Sequence, residues 1–237
     1  MEGTDGGTTI LRLPVAPTVK WLWWAGGVVV ALHLASWWAL HLGVAKARVI
    51  HLLFDLRGEG NLSAYYAALL LLTGGIVALL IARGGHAQGV MRRGWWLLAL
   101  VLLFLSADEA GQVHEKFNRS MGALVGEGHM GTLHFAWVLP YAVLTAVFAL
   151  VSVPWLRALP ARTRRGLLVA GAVYVAGALG MEPVESMMVH MDQGSPAVVL
   201  SCTLEESLEL AGLTLCLAVL LDHLRRTVPQ VLLRLDP

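Results

Sequence analysis

Charge is scarce in this sequence. Asp, Glu, Lys and Arg make up 14% of its 237 residues, where an ordinary soluble domain carries about 25%. Hydrophobic residues make up 57%, and the mean hydropathy is +0.68. A water-soluble domain is excluded and a polytopic membrane protein is expected. Neither sign of charge dominates: the net charge is +1, so nothing points to a nucleic-acid partner. Cysteine is nearly absent. Cys202 and Cys216 stand 14 residues apart on one expected helix, about 21 Å at 1.5 Å per residue, too far for a disulfide. The N-terminal MEGTDGG has no basic n-region, and the first apolar segment is long for a signal peptide, so no cleavage is expected. The sequence also lacks a long linker, a low-complexity tract and a convincing internal repeat.

What is present is a series of uncharged runs bounded by charge. They predict an all-α, single-domain transmembrane bundle over 1–237, with six spans at about 21–45, 60–82, 94–115, 132–156, 166–190 and 197–221. Basic residues set the expected orientation. Arg83, Arg92 and Arg93 lie between spans two and three; Arg157, Arg162, Arg164 and Arg165 lie between four and five; Arg225, Arg226 and Arg234 follow span six. These regions share one side, expected to be the cytoplasm, which puts both termini there and the chain in a bacterial cytoplasmic (inner) membrane. Trp21, Trp23, Trp24, Trp95, Trp96 and Trp155 read as an inner aromatic belt, with Trp37 and Trp38 near the other face.

Three of the runs are too short. From Gly94 to Ala107 there are 14 uncharged residues before Asp108, where a spanning helix needs roughly 20. Counting outward from the basic side, Asp108 lies 15 residues past Arg93, about 22 Å. Glu182 lies 17 past Arg165, about 25 Å, and Glu209 lies 13 before Asp222, about 20 Å. All three fall short of the far surface of a hydrocarbon layer about 30 Å thick. Beyond them come Glu109, His114 and Glu115; Glu185, His190 and Asp192; and Glu206 and Glu205. A carboxylate at mid-membrane costs about 2.5–3.5 kcal/mol, so these groups must face one another, a wet cavity or a cation.

Helical spacing places Asp108, Gln112 and Glu115 on one face, and Glu205 and Glu209 on another, with Glu206 turned away by about 60–100°. Pro183 is expected to break or restart the helix between Glu182 and Glu185. Carboxylate with some imidazole suits a divalent metal ion: zinc, iron or manganese. The metal set proposed from the sequence is Asp108, Glu109, His114, Glu115, Glu182, Glu185, Glu205 and Glu209. Neither Glu-x-x-His nor His-Glu-x-x-His occurs, so spacing does not name the metal. Against this stands a plain alternative, in which the acids form a solvated vestibule. His33 and His41, eight apart on span one, read as structural histidines. Cys202 reads as a small packing residue rather than a soft ligand. FDLRGEGNLS (54–63) has the look of a calcium loop, but Arg57 and Tyr66 stand where ligands are needed. A turn with Asn61 or Ser63 capping span two is the better reading. Ala172, Ala176 and Gly180, at four-residue spacing, read as a close-packing stripe.

The segments FDLRGEGN (54–61), LSADEAGQVHE (105–115) and LEESLELAG (204–212) resemble those of a group of uncharacterised bacterial multipass membrane proteins. That resemblance covers about a third of the chain and implies no activity. The chain is more weakly similar to membrane hydrolases of the alkaline ceramidase superfamily, which implies zinc held by histidines; Ser106, Asp108, His114, His134 and His190 would fill the matching roles. Three functions remain open. One is a membrane metalloprotein acting as a hydrolase or oxidase on a lipid-like substrate. The second is a proton or metal-cation transporter, which the apolar basic-side halves of spans three, five and six disfavour. The third is a structural or assembly subunit that binds membrane-protein partners or further copies of itself.

Overall fold

In lipid every backbone N–H and C=O must be paired within the chain, and a long apolar run does so as a helix. The computed structural model describes residues 14–84, 87–114, 116, 138–188, 191–192 and 194–227, without the side chains of Glu182 and Ser186. The described elements are α1 (Val15–His41), a 3₁₀ turn (Ala45–Ala47), α2 (Arg48–Phe54), α3 (Leu62–Arg83), α4 (Gly89–Gly111), α5 (Val138–Ala158), α6 (Ala161–Ala178), α7 (Glu182–Met188) and α8 (Pro196–Thr227). Among the described residues there is no β-strand. Six segments are long and apolar enough to cross a membrane: α1, α3, α4, α5, Ala161–Glu185 and α8. The protein is a multipass, all-α membrane bundle.

Several boundaries differ from those expected. α1 and α4 begin earlier and take in Lys20, Arg92 and Arg93, whose long stems can carry their charges out to the interface. α4 ends at Gly111 because Gln112 adopts a left-handed conformation, φ 53°. The periodicity that put Gln112 and Glu115 on one face with Asp108 therefore stops there. Within the fifth span, α6 ends at Ala178 and α7 restarts at Glu182, so the break falls ahead of Glu182 and not between Glu182 and Glu185; Pro183 lies in the first turn of α7, where a missing N–H costs no helical bond.

α3 is the central helix. Gly74 and Gly75 let α4 approach so closely that a Cβ at Gly75 would stand 2.7 Å from Leu103. α8 packs on the other side of α3 and carries α6 and α1, while α5 packs on α4. The order around the bundle is α5, α4, α3, α8, α6. α5 and α6 follow one another in the chain yet barely meet. α6 is seated on α8 by Gly177 and Gly212: a Cβ at Gly177 would lie 2.8 Å from the Glu205 carbonyl, and one at Gly212 would lie 2.6 Å from the Tyr174 amide. The expected stripe Ala172–Ala176–Gly180 is instead exposed. The contact face of α6 carries buried Thr163, Ala170 and Gly177, roughly half a turn around.

One end of the bundle is basic, with Arg83, Arg92, Arg93, Arg157, Arg162 and Arg225, and it is tightly closed. Trp95 is fully buried and meets Trp155 edge-on with ring centroids 5.0 Å apart; His223 lies 4.8 Å away on its other side. His223 Nδ1 and Thr163 Oγ1 are hydrogen-bonded at 3.1 Å. Trp155 sits over Gly94, where a Cβ would have no room. Four helices, α4, α5, α6 and α8, are joined in this plug. Trp95 and Trp155 are therefore core residues and not part of an interfacial belt; Trp21, at 73% exposed, and Trp24, at 61%, do face outward.

Candidate functional site

The opposite, acidic end is organised by FDLRGEGN. Asp55 Oδ1 accepts the Arg57 amide at 3.2 Å, and Asn61 Nδ2 donates to the carbonyls of Asp55 and Gly58, both at 2.7 Å. Asn61 Oδ1 accepts from Ser63 N at 2.9 Å and Ala64 N at 3.1 Å, capping α3. Gly60 supplies the left-handed turn (φ 70°), which only glycine adopts without strain. From α1, buried His33 accepts the Leu56 amide on Nδ1 at 3.1 Å. This pins the loop to the bundle. His41, on the same helix, is exposed and stacks on Trp37 and Trp38. The loop then points Glu59 inward.

Glu59 meets a short relay that runs to α5. His114 Nε2 lies 2.7 Å from Glu59 Oε1, and His114 Nδ1 lies 3.3 Å from Asp108 Oδ1. Asp108 Oδ1 also accepts the His114 amide at 2.9 Å, and Tyr141 donates its hydroxyl to Asp108 Oδ2 at 2.8 Å. Asp108 is only 5% exposed. Burial alone would lower the His114 pKa. The hydrogen bonds to Asp108 and Glu59, with their charges, outweigh it and push the pKa up to about 10. His114 is thus held as an imidazolium between two carboxylates.

Behind this relay lies a cavity of about 950 Å³. Among the described residues its wall carries seven carboxylates: Glu59, Asp108, Glu109, Glu185, Glu205, Glu206 and Glu209. They come from the FDLRGEGN loop, α4, α7 and α8. The lining has two described basic groups, Arg57 and His114. The charges of Glu209, Glu109, Glu185 and Glu59 all act on Glu206. Glu185, Cys202 and Glu205 bring one donor atom each within 4.8 Å of one another, a grouping that can hold a metal ion. The Cys202 thiol donates to Glu185 Oε2 at 3.3 Å, while Glu185 Oε1 and Glu59 Oε2 are buried without a hydrogen-bond partner. Toward the basic end the wall turns apolar, with Val101, Phe104, Leu144, Phe148 and Val175 among its residues.

A second metal-competent grouping, His33, His51 and Asp55, lies in the frame of the loop. Its His33 Nδ1 is already engaged by the Leu56 amide, and His51 Nδ1 lies 3.3 Å from Ser36 Oγ. That arrangement suits a structural role.

Of the eight residues proposed from sequence, six line the one cavity: Asp108, Glu109, His114, Glu185, Glu205 and Glu209. Glu115 lies outside the described residues, as does the side chain of Glu182. Glu206 lines the cavity too, because the space takes in an arc of about 100° on α8, enough to include its neighbour Glu205. Sequence reasoning left Glu59 out of the set, having weighed it only as part of the rejected calcium-like loop; its direction depends on the Gly58 and Gly60 turns. It also missed Tyr141 and Tyr174. The available signal was a phenol in each apolar run, since a buried hydroxyl needs a partner. Of the residues matched to the ceramidase-type pattern, Ser106 donates to the Ala68 carbonyl at 2.9 Å and holds α4 to α3. His134 and His190 lie outside the described residues. Asp192 is exposed and caps the Gly194 amide at 3.0 Å.

A family model described as "Domain of unknown function (DUF8692)" matches residues 21–224, which include every residue of the cavity. No curated protein and no solved structure matches the chain.

Proposed function

We propose that this chain, which belongs to the DUF8692 family, is a membrane-embedded metalloprotein that holds one or two divalent ions in its carboxylate cavity and acts on a substrate drawn from the lipid phase. One observation carries the reading: among the described residues, seven carboxylates share a single cavity with two basic groups. Such an excess of like charge at membrane depth is costly unless a cation offsets it. The partnerless oxygen of Glu185 beside Cys202 and Glu205 fits a ligand position. Glu109, Glu185, Glu205, Glu206 and Glu209 are the ligand candidates, an oxygen-rich set suited to zinc, iron or manganese. A bound ion would supply Lewis acidity for hydrolysis or, as an iron or manganese pair, oxidative chemistry.

Asp108 and His114 have a different role in this reading. Both oxygens of Asp108 and both nitrogens of His114 already bond protein groups. They form a proton-holding relay at the mouth of the cavity, with Asp108 and Glu59 fixing the imidazolium and Tyr141 fixing Asp108. The basic end lies in the cytoplasm, and the cavity opens toward the opposite side. A transport route would have to cross the Trp95–Trp155–His223 plug and the apolar half of the cavity, which favours an enzyme over a conduit.

The test is elemental analysis of the purified protein after exposure to zinc, manganese or ferrous iron. About one or two ions per chain are expected. Glu205→Gln with Glu209→Gln is expected to remove at least half of them while leaving helicity unchanged. Wild type without metal, or a double variant with full metal content, overturns the proposal.

A further inference from the structure

The acidic cavity does not end at its apolar floor. Leu97 and Leu100 on α4 line it from below, and the same two residues form the upper wall of a groove whose lower wall is Arg92, Arg93 and Trp96. The cavity and this shallower groove adjoin at Leu97 and Leu100, and we read them together as one trough along α4 from the carboxylates to the basic end. Its side is open. Phe104, Leu144 and Val147 line the cavity and yet are 49%, 57% and 51% exposed, because α5 and α6 do not close against each other.

The lower end of the trough is built for an anion. The Arg83 guanidinium lies over the Trp96 ring, 5.7 Å from its centroid. Arg92 and Arg93 are exposed beside it, and among the described residues neither has a carboxylate partner. The nearby acid Asp222 is already engaged by Arg162, Arg225 and Arg226. The middle of the trough is mostly apolar, with Thr145 the exception among its described residues. Phe104 lies 11 residues beyond Arg93 on α4, about 16 Å, which matches the roughly 15 Å of hydrocarbon in one leaflet. A chain anchored by its head at the arginines ends at the apolar floor, with Glu109 little more than one helical turn further on.

We infer that the trough binds one phospholipid-class molecule, with its anionic head at Arg92, Arg93 and Trp96 and its acyl chain lying along α4, so that the far end of the chain is presented to the carboxylates. That this molecule is the substrate rests on the metalloprotein reading above; that it binds here does not. An anionic head separates this class from zwitterionic lipids, and the apolar wall separates it from free phosphate.

The experiment is native mass spectrometry of the protein reconstituted in equal phosphatidylglycerol and phosphatidylcholine. Wild type is expected to retain one phosphatidylglycerol in preference to phosphatidylcholine. Arg92→Ala with Arg93→Ala is expected to cut that preference by about tenfold or more, while Arg157→Ala with Arg165→Ala at the same end leaves it intact. Phosphatidylglycerol carrying a diazirine at the chain end is expected to label the 100–104 and 144–148 segments. Equal loss in both double variants, no loss in the first, or label confined to the outer faces of α1 and α3 overturns the inference. Metal content is read in parallel. Metal retained with lipid preference lost at neither arginine pair counts against the lipid site alone, and lipid preference without metal counts against the metalloprotein reading alone.

Discussion

Asp108 is the residue on which the mouth of the site turns: it takes Tyr141 on one oxygen and the amide and ring of His114 on the other. Its partner His114 has a pKa pushed up to about 10 in the folded chain, against about 6.5 when unfolded. The folded state therefore binds this proton more tightly, so the stabilisation is complete below about pH 6.5 and is lost as the pH rises through about 10. His114→Gln is expected to lower the melting temperature at pH 6 by more than about 3 °C, as loss of a charged hydrogen bond does. The gap from wild type is expected to close above pH 10, checked by thermal unfolding in detergent at both pH values. A gap that persists or widens with pH contradicts the relay. Asp108 and His114 could be singled out in the sequence because ionisable residues stand out in an apolar run. Glu59 could not, because its direction is decided by two glycine turns and by a histidine 26 residues earlier, contacts that exist only after folding.

α6 and α8 form the second scale, since their contact decides where three glutamates stand. Gly177 lies against the backbone of Glu205 and the side chain of Glu209, so the site needs this close approach. Gly177→Leu is expected to push α6 outward, costing about 1–3 kcal/mol of stability and lowering metal content. Ala176→Leu, one position along and facing out, is expected to leave both unchanged. Thermal unfolding and elemental analysis check the pair; equal effects from both would mean that the exposed stripe does pack. Four-residue spacing of small side chains picked the wrong face here because Ala and Gly are abundant all round α6. The periodicity has several solutions, and only the partner helix chooses among them. A restart near Pro183 was legible because it follows from the proline ring itself, although the break falls at 179–181 and leaves Glu182 and Glu185 on one helix, whereas the stop at Gly111 depends on one left-handed residue that carries no compositional mark.

At the scale of the whole molecule, the number of spans followed from hydropathy, and counting residues pointed to the acids on three helices that the fold brings to one cavity. The order of helices around the bundle did not, because it is set by Gly-to-side-chain contacts such as Gly75 with Leu103 and Gly94 with Trp155. That order leaves the cavity open on one side and closed at one end. Reconstituted vesicles are accordingly expected to accumulate neither protons nor Mn²⁺ above protein-free controls, measured with an internal pH dye and a metal-quenched fluorophore; robust uptake would establish a conduit. The Trp95–Trp155–His223 plug has a mechanical meaning as well. It fixes α4, α5, α6 and α8 to one another at the basic end, while Glu109 on α4 and Glu205, Glu206 and Glu209 on α8 stand further along two of those helices. On the metalloprotein reading, those carboxylates repel one another when no cation is present and are drawn together by one, so that metal occupancy and the width of the gap to the lipid are expected to vary together.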